Sequence, residues 1–168
     1  MEIERHRGVI RLALVYLAVA IGLVAAWILI APKHFYDEFP GPASWVSALP
    51  PYNEHLIRDF GSVGLGLAVL AAIAAVWMER RVVQAAAVAL FVGSLPHAIY
   101  HSTTTEAYST ADNLVSLAGL SSEVLLPLLI LYLASGERQA PAPATAGRLD
   151  RDRPHGHAWA RGRVSRPR

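Results

Sequence analysis

Four long apolar stretches run along the chain, at residues 12–31, 60–78, 82–100 and 114–134, and polar residues gather between them rather than alternating with them. Each stretch is close to the roughly 20 residues that an α-helix needs to cross the hydrocarbon of a bilayer. Backbone groups in hydrocarbon must pair within the segment, and continuous apolar runs of this length do so as helices. Strands of a membrane barrel would instead alternate apolar and polar residues over about ten positions. The pattern therefore predicts an all-α, polytopic bundle of four transmembrane helices. Glu79, Arg80 and Arg81 alone separate the second and third stretches, so these should form a tight helical hairpin. A single acid, Glu123, interrupts the fourth.

The polar punctuation gives an orientation. Arg5, Arg7 and Arg11 precede the first stretch, Arg80 and Arg81 fill the hairpin, and Arg138 follows the fourth. The opposite side carries only Lys33 and Arg58, against Asp37, Glu38, Glu54, Asp59, Glu106 and Asp112. Basic residues next to spans stay on the cytoplasmic side. The expectation is a multi-pass protein of the plasma or inner membrane with both termini cytoplasmic. The first stretch is longer than a secretory signal core and has no clear small-residue cleavage pattern before Pro32, so it is read as a retained helix.

Three segments flank or join the spans. Residues 1–11 are a short cytoplasmic lead, and residues 12–134 are the membrane domain. Within that domain, residues 32–59 form a long outward loop. Pro40, Pro42, Pro50 and Pro51 break any long helix there, while Phe35, Tyr36, Phe39, Trp45 and Tyr52 supply rings suited to the headgroup region. The loop reads as a folded cap or as a lid over a polar site. Residues 135–168 change character. Repeated arginines and the APAPATAG run cannot build an apolar core, so this tail is expected to be disordered and cytoplasmic. Its net charge is +5 in a chain whose formal net charge is +2, which suits contact with anionic lipid. No aromatic-interleaved module accompanies that charge, and nucleic acid is not an expected partner.

The remaining polar residues fall at similar predicted depth. From His55, the positions Asp59, Ser62 and Gly66 follow at offsets of four, seven and eleven residues, a single helical stripe. His97 and His101 are four residues apart and share a face. Asp112, Ser116, Gly119 and Glu123 repeat the stripe spacing on the fourth helix. Together these stripes predict a polar cavity between the outward halves of three helices. His55, Asp59, His97 and His101 are suitable ligands for zinc, copper or iron, with Glu106 or Asp112 completing or orienting the site. The same residues suit a structural hydrogen-bond network or acid–base work on a small molecule. Glu123 lies roughly 15 Å inside its helix by helical rise, close to the midplane. A charge there is costly unless it is neutralised, paired or hydrated, and no lysine or arginine sits at matching depth. It is either a neutral acid hydrogen-bonded to a neighbour or a proton- or ligand-binding group. Glycines and alanines of the second span, with Gly93, Ser94, Gly119, Ser121 and Ser122, suit close helix packing. Pro96 and Pro127 are candidates for kinks.

Composition narrows the function classes. Of 168 residues, 54% are hydrophobic and 17% charged, and there is no cysteine, which excludes intrinsic dithiol chemistry. The segments FYDEFPGPASWV and YNEHLIRDFGSVGLGLAVL, the PHAIYH helix end and ADN before the fourth span resemble a family of small, uncharacterised four-helix integral membrane proteins from actinobacteria. The likeness covers about residues 10–135 and implies the bundle, without an activity. General architecture also resembles the small DoxX-like membrane proteins, which again implies a four-helix bundle and no oxidoreductase assignment. The expected function is a membrane binding or accessory protein, as a homo-oligomer or beside a membrane partner, with an outward polar cavity. The alternatives are a metal- or haem-associated oxidoreductase using His55, His97 and His101, and a proton-coupled small-solute carrier using Asp59 and Glu123.

Overall fold

The structure, a computed structural model, describes residues 2–41 and 43–135. Met1, Pro42 and residues 136–168 lie outside them, so the expectations for the basic tail fall there too. The described residues form helices and no strands. They are α1 (Glu2–Arg5), α2 (Arg7–Ile30), α3 (Pro32–Glu38), α4 (Glu54–Trp77), α5 (Arg80–Thr103) and α6 (Thr110–Ala134). Four of them, α2, α4, α5 and α6, are long and apolar enough to cross a membrane. A 24-residue helix rises about 36 Å, more than the roughly 30 Å of hydrocarbon it must span. Large apolar side chains such as Leu12, Leu23, Val76 and Leu125 stand on the outside of the bundle. A helix that is apolar all round suits lipid rather than water. This is a membrane protein.

Helix ends follow from local chemistry. All four spans begin earlier than hydropathy alone predicts, and in α4 and α6 capping residues rather than apolar residues set the start. Asn53 accepts from the Leu56 amide at the start of α4, and Ser109 accepts from the Asp112 amide at the start of α6. The Glu54–Asp59 segment is therefore the first turn and a half of α4, and the loop before it is shorter than predicted. Met78 closes α4 in the left-handed conformation with φ 54°, and Glu79 caps α5, so two residues suffice to reverse the chain. Ala31 separates α2 from α3, whose first position is Pro32.

Neighbouring spans run in opposite directions. Arg11 near the start of α2 donates from Nε to the Ala75 carbonyl near the end of α4, 3.0 Å away. Gln84 near the start of α5 donates to the carbonyl of Ala134, the last residue of α6, 3.0 Å away. The broadest packing is α2 on α4 and α5 on α6, with narrower α4–α5 and α2–α6 seams. The core sits toward the end of the bundle that carries the N-terminus. It joins Ile10, Leu14 and Leu17 of α2 to Ala71 and Ala74 of α4, Val83 and Leu90 of α5, and Ile130 of α6. Toward the loop end, α2 and α4 approach closely at Gly61. A Cβ there would meet the Ile28 side chain at 2.5 Å, so only glycine fits.

Candidate functional site

On α5 the interior positions repeat at alternating spacings of four and three residues: Val83, Ala87, Leu90, Ser94, His97 and His101. The repeat is apolar for two turns and polar thereafter. On α6 the corresponding positions are Leu120, Glu123, Pro127, Ile130 and Ala134. The two seams face each other, and Ser94 is the polar neighbour of the Glu123 carboxyl group. Ser94 is also the one buried polar side chain among the described residues. The acid that interrupts the fourth span thus turns to protein and a hydroxyl, not to lipid.

Above Ser94, toward the loops, the column continues through two imidazoles. The His97 and His101 rings lie 4.9 Å apart between centroids, at 70°. Phe60 of α4 stacks edgewise on His97 at 5.8 Å. Tyr108, in the loop between α5 and α6, lies over His101 at 6.1 Å. His101 Nδ1 is enclosed and has no hydrogen-bond partner among the described residues. Buried polar atoms are nearly always paired, by protein or by a bound molecule, so this nitrogen marks the column as unfinished.

The loops lock the top of this column. The Tyr108 hydroxyl donates to the Trp45 carbonyl at 3.0 Å, and the Trp45 indole donates to Asp112 Oδ1 at 3.0 Å. The Ser109 hydroxyl donates to Asp112 Oδ2 at 2.6 Å, while the Asp112 amide donates back to Ser109. Asp112 is therefore occupied as a cap and clamp. Burial, with the Tyr100 phenol next, raises the Tyr108 phenol above its ordinary value and keeps it a donor. Nearby, Trp27 donates to His34 and packs against Phe35 and Phe39. Lys33 bonds Asp37 at 2.6 Å, which raises its ammonium above the ordinary lysine value, and it lies over the Tyr36 and Tyr52 rings.

The polar stripe predicted for the second span faces the wrong way for an inward cavity. His55, Asp59, Ser62 and Gly66 are all exposed. His55 and Asp59 pair with each other at 3.3 Å, with side chains 88% and 60% exposed. The cause is packing. Gly61, Ala68, Ala71 and Ala75 form the opposite, small-residue face of α4, and close approach to α2 turns that face inward. Glu106 is exposed in the loop between α5 and α6. Of the proposed metal ligands the structure brings His97 to His101, and His55 to Asp59, as two separate pairs. No group of three His, Asp or Glu side chains placed to hold a metal ion occurs among the described residues. Ser94, Phe60, Trp45 and Tyr108 are site residues that the stripe argument missed. Following the four–three repeat down from His101 would have found Ser94.

Comparison with known protein families, with curated proteins and with solved structures returned no match for this chain, so its function rests on its own geometry.

Proposed function

We propose that the protein is a binding protein of the plasma membrane, with cytoplasmic termini and a site for a small polar solute in its outward half. The column His101–His97–Glu123 forms the site, with the Trp45–Tyr108 clamp over its entrance. The observation that carries this reading is the enclosed, unpartnered Nδ1 of His101. Leaving such an atom unsatisfied costs about 1–3 kcal/mol, which a bound solute would recover. A neutral imidazole offers one donor and one acceptor, so the pair of rings suits a solute that can do both. Glu123, beside Ser94, ends the column as the deeper acid.

The test is a ring-nitrogen NMR titration of 15N-histidine-labelled protein in mild detergent, with ammonium, acetate and Zn2+ as probes. We expect a saturable shift of the His97 and His101 resonances with ammonium or acetate, lost in His101→Phe. Resonances that stay still under all three probes overturn the reading. A response to Zn2+ alone moves the site to metal binding, for which the His97–His101 pair supplies two of the ligands.

A further inference from the structure

A second feature lies at the other end of the bundle and is independent of the histidine column. A groove of about 510 Å³ runs between α2 and α4, walled by Val15, Ala18, Val19, Ala72 and Val76. Its wall is almost wholly apolar, and Arg11 forms its end. Alanines at positions 18 and 72 make the depression, since larger residues there would fill it. From Arg11 to Val19 the groove follows α2 for about 12 Å, most of the roughly 15 Å of one hydrocarbon leaflet.

Arg11 is held in place. Its Nε donates to the Ala75 carbonyl, one of the last carbonyls of α4 that the helix itself leaves unpaired. That bond fixes the guanidinium across the α2–α4 seam. No carboxylate among the described residues pairs with Arg11. A planar cation with terminal N–H donors to spare therefore stands at the mouth of an apolar slot, directly before the apolar stretch 12–31. A guanidinium binds phosphate oxygens through paired N–H donors.

We infer that this groove is a binding site for one anionic phospholipid of the leaflet on the N-terminal side, its acyl chain along Val15 and Val19 and its phosphate on Arg11. The groove between α5 and α6 is the internal contrast. It measures about 270 Å³, is lined by Leu95, Ala98, Leu117 and Leu125, and has no cation at its edge. Shape alone would let lipid sit in either. Charge complementarity singles out the Arg11 groove.

The experiment places the full chain in nanodiscs of equal phosphatidylglycerol and phosphatidylcholine and counts retained lipids by native mass spectrometry. One phosphatidylglycerol per chain should be retained over phosphatidylcholine by about fivefold, the preference one interfacial cation confers. Arg11→Gln should abolish the preference while leaving helix content by circular dichroism unchanged. Arg11→Lys keeps the charge without the Nε anchor and should retain part of it. Ala72→Phe fills the slot and should lower retention of both lipids. The basic tail is common to every variant, so its own attraction for anionic lipid cancels. Equal retention of phosphatidylglycerol by wild type and Arg11→Gln overturns the inference. So does a dimer that carries no phospholipid, because a second copy would then occupy the groove.

Discussion

Single residues decide where this bundle is tight and where it is open. Among the described glycines, Gly61 marks the tightest approach. The missing side chain lets α4 lie against Ile28, which is fully buried and has no room to retreat. Gly61→Ala should therefore destabilise the protein by about 1–3 kcal/mol, the usual cost of overpacking, although alanine is the better helix former. Thermal unfolding in detergent checks this, with Gly66→Ala as the control. No atom lies within 4 Å of the Cβ that Gly66→Ala would add, and its helix should gain slightly. Equal melting shifts for the two variants would sink the close-approach argument. The histidines show the opposite condition. His101 Nδ1 is enclosed yet has no hydrogen-bond partner among the described residues, and the proposed site rests on that atom.

At the scale of elements, the loops act on the helices through one polar clamp. Tyr108 holds the carbonyl of Trp45, and Trp45 holds Asp112 in the first turn of α6. Because Tyr108's phenol is raised in the folded protein, the native state keeps its proton longer than the unfolded chain does. The stability it contributes is complete below the ordinary phenol value of about 10 and is lost as pH rises through the raised folded value. Alkaline titration of the melting temperature should show this loss, and Tyr108→Phe should flatten that part of the curve. A Tyr108→Phe profile identical to wild type would remove Tyr108 from the clamp. Elements also show what the sequence could and could not reveal. The four spans and the hairpin at Glu79 were legible, because twenty apolar residues in a row admit one structure in lipid. The facing of α4 was not. Its stripe from His55 to Gly66 has the right period, but period fixes which residues share a side and not which side turns inward. Gly61 and the alanines below it settle that through packing, and the polar stripe is left outside. On α5, His97 and His101 share one partly buried side. There the polar residues continue the apolar seam of Leu90 and Val83, and continuity with a core carries the direction that period lacks.

For the whole molecule, the polar column and the lipid groove lie at opposite ends, and their meaning depends on which end faces the cytoplasm. The alternating directions of the four spans put the α4–α5 hairpin on the same side as the N-terminus. Arginines concentrate there, at positions 5, 7, 11, 80 and 81, whereas acids concentrate in the loops at the other end. Basic segments next to spans resist translocation, and on the proposed orientation the Arg11 groove lies in the cytoplasmic leaflet, where anionic lipid is abundant. The same proposed orientation puts the Trp45–Tyr108 clamp, above His101, on the outside. The chain contains no cysteine, so a single introduced thiol is uniquely addressable. Ala43 and Ala107 are exposed in the two loops, and Arg81 is exposed at the start of α5. In intact cells, a membrane-impermeant maleimide should label Ala43→Cys and Ala107→Cys, while Arg81→Cys should react only after the membrane is permeabilised. Labelling of Arg81→Cys in intact cells, with the loop thiols silent, would invert the molecule. The histidine column would then open to the cytoplasm, and the lipid on Arg11 would belong to the outer leaflet.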